Sequence, residues 1–350
     1  MEKYSQYRDR GSGIAPFFPV PTQPSGIQLP LHLFLFLFRI PLLLTVSAVY
    51  FLLLSWLPVG SLIKKAALWM ILGIPGVWWI DLQIDGVKRG SLARQDKMRL
   101  PHPGSIIASS FTSPLDSIYL AAIFDPVFTI SYPSTRLVQR ISLFQALLLA
   151  FRQPQEKPPP KAQLTSLAKL VAQNPDTSIV VLPECTTTNG RGILPFSPSL
   201  LTASPRTKIF PVSLRYTPGD VTTPIPGSYL RFFWNLCSKP THCIRVRIAE
   251  AAFNNSSSSS AGTTSSTDVR VTEDLRVPYD ANYFDKINYG NGGGDGVLNG
   301  HDDDDGLAED ERKLLDRVGE DLARLGRVKR VGLGVREKSE FVRAWTKKRR

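Results

Sequence analysis

The chain has 350 residues and a formal net charge of +12, a length that accommodates one catalytic domain with appendages or two small domains. Its 3 cysteines and 4 histidines are scattered and include no C-x-x-C pair, so they support neither a disulfide framework nor a zinc site. A basic chain suits nucleic acid or an anionic membrane. The apolar first quarter and the lack of a nucleic-acid recognition motif favour the membrane, so no nucleic-acid partner is predicted.

The first predicted element is a hydrophobic membrane anchor at residues 31–80, after an N-terminus at residues 1–30 that is predicted to be disordered. Residues 40–63 carry no charge. A run of about two dozen apolar residues is long enough to cross a hydrocarbon core of roughly 30 Å. A second apolar stretch at residues 66–80 is shorter and is interrupted by glycine and proline.

Three structures fit this anchor: a single spanning helix, a re-entrant hairpin that returns to the side it entered from, and a buried helix of a soluble protein. A cleaved signal peptide does not fit, because the apolar run is too long and starts too late. Basic residues flank the run on both sides, with Arg39 before it and Lys64 and Lys65 after it. Charge asymmetry therefore leaves the orientation open, and a hairpin would place both flanks in the cytosol.

An α/β domain is predicted at residues 81–252, where strand and helix patterns alternate. The predicted strands, which are continuously apolar or alternate with period two, lie at residues 80–84, 105–109, 178–182, 209–216 and 243–248. The predicted helices lie at residues 113–124, 142–151 and 164–171. Ser113 and Pro114 are typical N-cap and first-turn residues of a helix. This alternation predicts a mostly parallel sheet flanked by helices.

The C-terminal part changes composition. Residues 253–306 are predicted to be a disordered low-complexity linker, because their polar residues cannot bury enough apolar surface to offset the entropy of ordering. The acidic run at residues 302–305 lacks the spacing of a calcium-binding loop. A helical pattern resumes at residues 307–350 and ends in a basic tail. Lys347 and Lys348 fit either a dilysine retrieval signal of the endoplasmic reticulum or a basic tail on anionic lipid.

The most specific motif, Leu-Pro-Glu-Cys-Thr-Thr-Thr-Asn-Gly-Arg-Gly, occupies residues 182–192, directly after a predicted strand. It resembles the Phe-Pro-Glu-Gly-Thr block of the PlsC-like glycerophospholipid acyltransferases. Its continuation is similar to that of the fungal lysophosphatidic acid acyltransferases. Asp116 stands where the family's His-x4-Asp motif has its Asp, and residues 210–213 resemble a later block. The resemblance covers about residues 31–251, including the apolar segment before the first motif.

This resemblance implies that the block after the strand binds the phosphorylated acceptor. The candidate substrate-binding residues are Pro183, Glu184, Cys185, Thr186, Asn189, Gly190 and Arg191. Hydroxyls and backbone N–H groups suit a phosphate, and Arg191 suits bidentate pairing with it. The ordinary alternative is a Gly/Asn turn with an exposed arginine. Cys185 replaces the family's Gly, and the neighbouring carboxylate of Glu184 disfavours a thiolate nucleophile.

Asp116 is the candidate catalytic residue, because the family's Asp orients the histidine that takes the proton from the acceptor hydroxyl. Phe111 replaces that histidine, and a phenyl ring cannot accept a proton. His102 lies nine residues upstream and His242 far along the chain, so either would have to approach through the fold. Asp116 fits equally well as the third helical residue of a capping box that begins at Ser113.

The resemblance implies an acyltransferase that moves an acyl group from acyl-CoA to a lysophospholipid, most simply lysophosphatidic acid, in glycerolipid synthesis. It implies acyl-CoA as co-substrate, no bound cofactor, no metal, and a bilayer or lipid-droplet surface as partner. The implied location is the endoplasmic reticulum membrane or a lipid droplet, with the catalytic domain facing the cytosol. Phe111 supports a second hypothesis, a catalytically impaired lipid-binding or scaffold protein with the same fold.

Overall fold

A computed structural model describes residues 2–22, 26–57, 60–87, 99–254 and 307–347. The predicted low-complexity linker from residue 255 onward, its acidic run and the last three basic residues lie outside the described residues. The described chain forms a mixed sheet flanked by helices, with one helical pair before the sheet and another at the C-terminus.

The apolar segment forms two helices, α1 (Leu29–Val49) and α2 (Ser61–Gly73). A π-helical turn at Tyr50–Leu54 extends α1. The resulting helix, Gly26–Leu54, is the one helix in the described residues that is long and apolar enough to cross a membrane. The chain leaves helical geometry after Leu54, so the uncharged run at residues 40–63 is not one continuous helix. That run therefore contains the end of the candidate spanning helix, a break after Leu54 and the start of α2.

Arg39 attaches α1 to the sheet domain. Its guanidinium donates hydrogen bonds to the backbone carbonyls of Pro75, Cys237, Lys239 and Pro240. An arginine has five N–H donors, so one side chain can satisfy several carbonyls at the end of a helix and in a loop. α1 is therefore docked on the domain through a charged residue in its middle.

The sheet contains eight strands in the order β1-β9-β8-β2-β6-β3-β4-β5. Its strands are β1 (Val77–Ile84), β2 (Ile106–Ser109), β3 (Val127–Ile130), β4 (Val138–Ile141), β5 (Leu164–Thr165), β6 (Ile179–Val181), β8 (Ile209–Thr217) and β9 (His242–Ile248). The pairs β1–β9, β2–β8, β2–β6 and β3–β6 are parallel. The pairs β3–β4, β4–β5 and β8–β9 are antiparallel. The sheet is thus mostly but not purely parallel.

The central strands β2 and β6 are buried along their whole length, as their continuous apolar sequences predict. The remaining helices are α3 (Pro114–Phe124), α4 (Leu143–Leu149), α5 (Leu167–Gln173), α6 (Tyr229–Cys237), α7 (Glu309–Gly326) and α8 (Val335–Lys347). The short strand β7 (Gly192–Ile193) pairs with β10 (Lys329–Arg330). Part of the predicted third helix is strand β5, because Leu164 and Thr165 pair with β4.

The two ends of the chain pack together, although the sequence predicts disorder before residue 30. Tyr4, Tyr7 and Phe17 are buried, and they form one cluster with Phe341 of α8. The rings of Tyr7 and Phe341 meet edge to face with centroids 5.3 Å apart, a favoured aromatic geometry. We call residues 2–22 together with α8 the terminal clasp. The clasp brings both chain ends to one side of the sheet domain.

Candidate active site

The site lies where the parallel strands β2 and β6 end. Phe111 and Asp116 follow β2, and Glu184 follows β6, so the fold brings the two motifs to one edge of the sheet. The backbone N–H of Phe111 donates to Oε1 of Glu184 over 3.3 Å. Ligands of α/β sheets commonly bind at this edge. The fold therefore places both motifs at the edge where such a ligand would bind.

Asp116 is fully buried and holds the start of α3. Its Oδ2 accepts hydrogen bonds from the N–H groups of Thr112 (2.7 Å) and Ser113 (2.9 Å). Its Oδ1 accepts from the hydroxyl of Tyr216 on β8. Burial raises the pKa of Asp116 to about 6, against the lowering effect of these hydrogen bonds. The capping box predicted from the sequence is present.

Glu184 is also fully buried. Its two carboxyl oxygens accept hydrogen bonds from two different loops, one after β2 and one after the Pro-Glu block. Oε1 accepts from Phe111, and Oε2 accepts from the backbone N–H of Leu194 over 3.2 Å. Burial raises the pKa of Glu184 to about 8, and the nearby charge of Asp116 adds to that rise. The protonated acid is thus its favoured form at neutral pH.

Neither histidine takes the place of the missing base. His102 precedes β2, at the other end of that strand, and its Nδ1 lies 3.3 Å from the carbonyl oxygen of Leu100. His242 begins β9, and its Nε2 lies 2.8 Å from the carbonyl oxygen of Leu236. Burial lowers the pKa of His242. Within the described part of the chain, no hydrogen bond joins either imidazole to Asp116 or Glu184.

Cys185 has a backbone conformation that favours glycine, the residue at this position of the Phe-Pro-Glu-Gly-Thr block that the motif resembles. Its φ is +57°, in the left-handed region that favours glycine. The thiol is buried beside Glu184, and burial raises the pKa of Cys185 to about 12. A thiol of that pKa is not a nucleophile at neutral pH, so Cys185 fills the position of a small residue.

The rest of the block contacts the terminal clasp. The side-chain amide of Asn189 donates to the carbonyls of Ala15 (2.8 Å) and Phe18 (2.9 Å). Thr186 is buried. Gly190, with φ +72°, turns the chain outward, and Arg191 is exposed. The predicted phosphate-facing residues are therefore divided, because Asn189 holds the clasp while Arg191 faces solvent.

Lys338 of α8 is the site residue that the sequence did not reveal. It is 1% exposed, and its Nζ donates to the backbone oxygen of Thr187 (2.6 Å) and to its Oγ1 (2.9 Å). Burial lowers the pKa of Lys338 to about 7, with Glu184 acting in the opposite direction. One signal was available. Lys338 lies between Val335 and Phe341 at helical spacing, on the apolar face of α8.

Two curated proteins are similar to this chain, while no family model matches it. One, from Schizosaccharomyces pombe, is provisionally named a lysophosphatidic acid:oleoyl-CoA acyltransferase. It is 28% identical over 256 residues, which cover 71% of this chain and 84% of that protein. The other, lysophosphatidic acid:oleoyl-CoA acyltransferase 1 of Saccharomyces cerevisiae, is 26% identical over 198 residues. That match covers 56% of this chain and 61% of the relative.

The fold and the site thus define an α/β domain with two acyltransferase-like motifs at one sheet edge, and both relatives are named acyltransferases. The resemblance to the fungal lysophosphatidic acid:oleoyl-CoA type of acyltransferase, inferred from the motifs, is confirmed by these comparisons.

Proposed function

We propose that this chain transfers an acyl group from acyl-CoA to a lysophospholipid, and that lysophosphatidic acid is its acceptor. The observation that carries the proposal is the meeting of Asp116 and Glu184 around Phe111, at the same edge of the sheet. The names of the two relatives support this pair of substrates. The product would be phosphatidic acid, and acyl-CoA would be a co-substrate with no further bound cofactor or metal.

The reaction moves one proton and exchanges one bond for another. The sn-2 hydroxyl must lose its proton as its oxygen attacks the thioester carbonyl, and the C–S bond must then break. The departing thiolate of coenzyme A takes up a proton. A positioned base and a closed, dry site lower both barriers. Asp116 and Glu184 hold the loops of such a site, since their carboxyl groups fix the backbone on either side of Phe111.

A turnover assay tests the proposal. We expect purified protein in detergent to convert labelled oleoyl-CoA and lysophosphatidic acid to phosphatidic acid. Glu184→Ala should lower the rate at least about 100-fold, because the backbone N–H groups of Phe111 and Leu194 lose their hydrogen-bond acceptor. The two loops at this edge of the sheet are then no longer held in position for the reaction. The exposed Glu250 gives the matched control, Glu250→Ala, which should keep the wild-type rate.

The same assay separates the second hypothesis. Wild-type protein that binds lysophosphatidic acid without turnover, and that gains turnover in Phe111→His, would identify an impaired lipid-binding protein. Phe111 is the observation that favours this alternative, since its buried ring stands in the position of the family's base.

We further propose that the helical pair enters one leaflet and returns, so that the protein lies at the cytosolic face of the endoplasmic reticulum membrane or on a lipid droplet. Asn189 bonds to Ala15 and Phe18, so the segment before α1 lies on the same side as the domain after α2. A helix that spans a bilayer alone would separate them. A lipid droplet has a single leaflet, which a hairpin suits and a spanning helix does not.

Exposed apolar side chains on adjoining elements support this placement. α1 packs against α2 and α6, and α2 packs against β1. The exposed apolar residues of these elements include Leu33, Phe34, Leu37, Phe38, Leu62, Ile63, Trp78, Trp79 and Leu230. Tryptophans beside an apolar helix are typical of a membrane interface.

Cysteine labelling tests the topology. Thr22→Cys before α1 and Glu250→Cys just after β9, the last strand of the domain in chain order, both change exposed residues. In sealed microsomes we expect an impermeant maleimide to label both from the cytosolic side, because the hairpin returns to its starting face. The native thiols need little correction, since Cys185 and Cys237 are buried and Cys243→Ser removes the third. Labelling of one position only, until detergent is added, would show that α1 spans the bilayer.

A further inference from the structure

Lys338 is a buried amine that neither candidate motif contains. It comes from α8, and it lies about 150 residues after the Pro-Glu block in the chain. A lysine that is 1% exposed is unusual, since burying an unpaired ammonium is expensive and such groups favour the neutral amine. Its presence beside the block therefore calls for a chemical reason.

Lys338 is connected to the position of the missing base through the backbone of the Pro-Glu block. Its Nζ bonds to Thr187, and the next residue, Thr188, donates its N–H to the carbonyl oxygen of Phe111 over 3.1 Å. Glu184, whose charge acts on Lys338, accepts from the N–H of the same Phe111. The amine is thus one residue along the chain from a backbone hydrogen bond to Phe111, and Glu184, which acts on its charge, accepts a second one.

The hydrogen bonds of the amine suit a proton acceptor. A neutral amine has two N–H groups and one lone pair. The two bonds to Thr187, at 2.6 and 2.9 Å, account for both N–H groups, so the lone pair is left to accept a proton. Burial lowers the pKa of Lys338 to about 7, the range in which a lysine can act as a general base.

We propose that Lys338 is the general base of the acyl transfer, in the role that histidine has in the related enzymes. This rests on the proposed function. The acceptor hydroxyl gives its proton to Nζ while its oxygen forms the new bond to the thioester carbonyl carbon. As the C–S bond breaks, the electron pair leaves with the coenzyme A sulfur, and the ammonium returns the proton to that thiolate. Lys338 ends the cycle as the neutral amine.

Replacement of the amine tests the proposal in full-length protein. Lys338→Met keeps most of the side-chain volume and removes the lone pair, and we expect kcat to fall at least about 100-fold, the usual contribution of a general base. The matched control is Lys347→Met, on the same helix but exposed, which should leave kcat unchanged. In the wild type, kcat should rise with pH through about 7 as the pKa of Lys338 is passed.

A second variant separates catalysis from folding. In Phe111→His/Lys338→Met the imidazole returns to the family's position beside Asp116, and we expect it to restore at least a tenth of the lost kcat. A Lys338→Met protein that was merely misfolded would not be rescued in this way. Failure of the rescue, or near-normal kcat in Lys338→Met, overturns the role of Lys338 while leaving the acyltransferase proposal intact. A wild type without turnover at any pH overturns the proposed function itself.

Discussion

Asp116→Ala is expected to lower the free energy of unfolding by about 3–5 kcal/mol, a large fraction of the stability of an ordinary domain. The reason is the number of buried donors that share this one carboxyl group. The N–H groups of Thr112 and Ser113 and the hydroxyl of Tyr216 all donate to it. Each buried donor left without an acceptor costs about 1–3 kcal/mol, and the N-terminal cap of α3 is lost as well.

Urea unfolding followed by tryptophan fluorescence in detergent measures this loss. Asp116→Asn should be milder, at about 1–2 kcal/mol, because its amide oxygen still accepts from the helix start. Asp176→Ala is the matched control, since Asp176 is exposed and its removal should change the free energy of unfolding by less than about 0.5 kcal/mol. A loss for Asp116→Ala no larger than that of the control would show that the carboxyl group does not hold this edge.

The central part of the fold was predictable because its signals are local. β2 and β6 are continuous apolar runs that the sheet buries on both faces, and α3 begins with a Ser-Pro cap at Ser113. The antiparallel strands β3 and β4 were not predicted. Each has four residues, and strands that short carry too little periodicity to be separated from loops.

The terminal clasp was not predictable from local patterns. Residues 2–22 are rich in glycine, proline and charge, a composition that favours disorder on its own. Their order depends on Phe341 and Trp345, which lie more than 300 residues away in the chain. The contacts of Tyr4 with these two rings, edge to face with Phe341 and tilted with Trp345, supply apolar burial that no local window of the sequence contains.

The candidate site was predictable only where its residues belong to short local motifs. The Pro-Glu block and Asp116 are short motifs, so their neighbourhood at one sheet edge follows from the order of parallel strands. The burial of Asn189 under the clasp and the position of Lys338 beside Thr187 depend on packing between distant parts of the chain. The basic C-terminal tail, which sequence composition assigns to solvent or lipid, therefore contributes a buried residue to the site.

The pH dependence of stability should reveal the protonation of Glu184. In the folded chain the pKa of Glu184 is about 8, against a usual value of 4.5. Between these two pH values the folded chain binds more protons than the unfolded chain, so the free energy of unfolding falls as pH rises. Between pH 5.5 and 7 the fall from this group is on the order of 2 kcal/mol, since each pKa unit corresponds to about 1.4 kcal/mol.

Glu184→Gln should remove most of that fall, because glutamine does not titrate. The substitution lowers stability by a constant amount, as its amide places a donor against the N–H of Phe111 or Leu194, but the slope is what identifies the group. Asp116, with a pKa of about 6, contributes equally to both proteins. Lys338 acts in the opposite sense above pH 7, where its lowered pKa makes stability rise with pH.

Urea midpoints at pH 5.5 and 7 measure how steeply the free energy of unfolding depends on pH, with the exposed Glu250→Gln as control. An unchanged slope in Glu184→Gln would mean that Glu184 is ionised in the folded protein, and that the block carries a buried ion pair with Lys338 in place of two neutral groups.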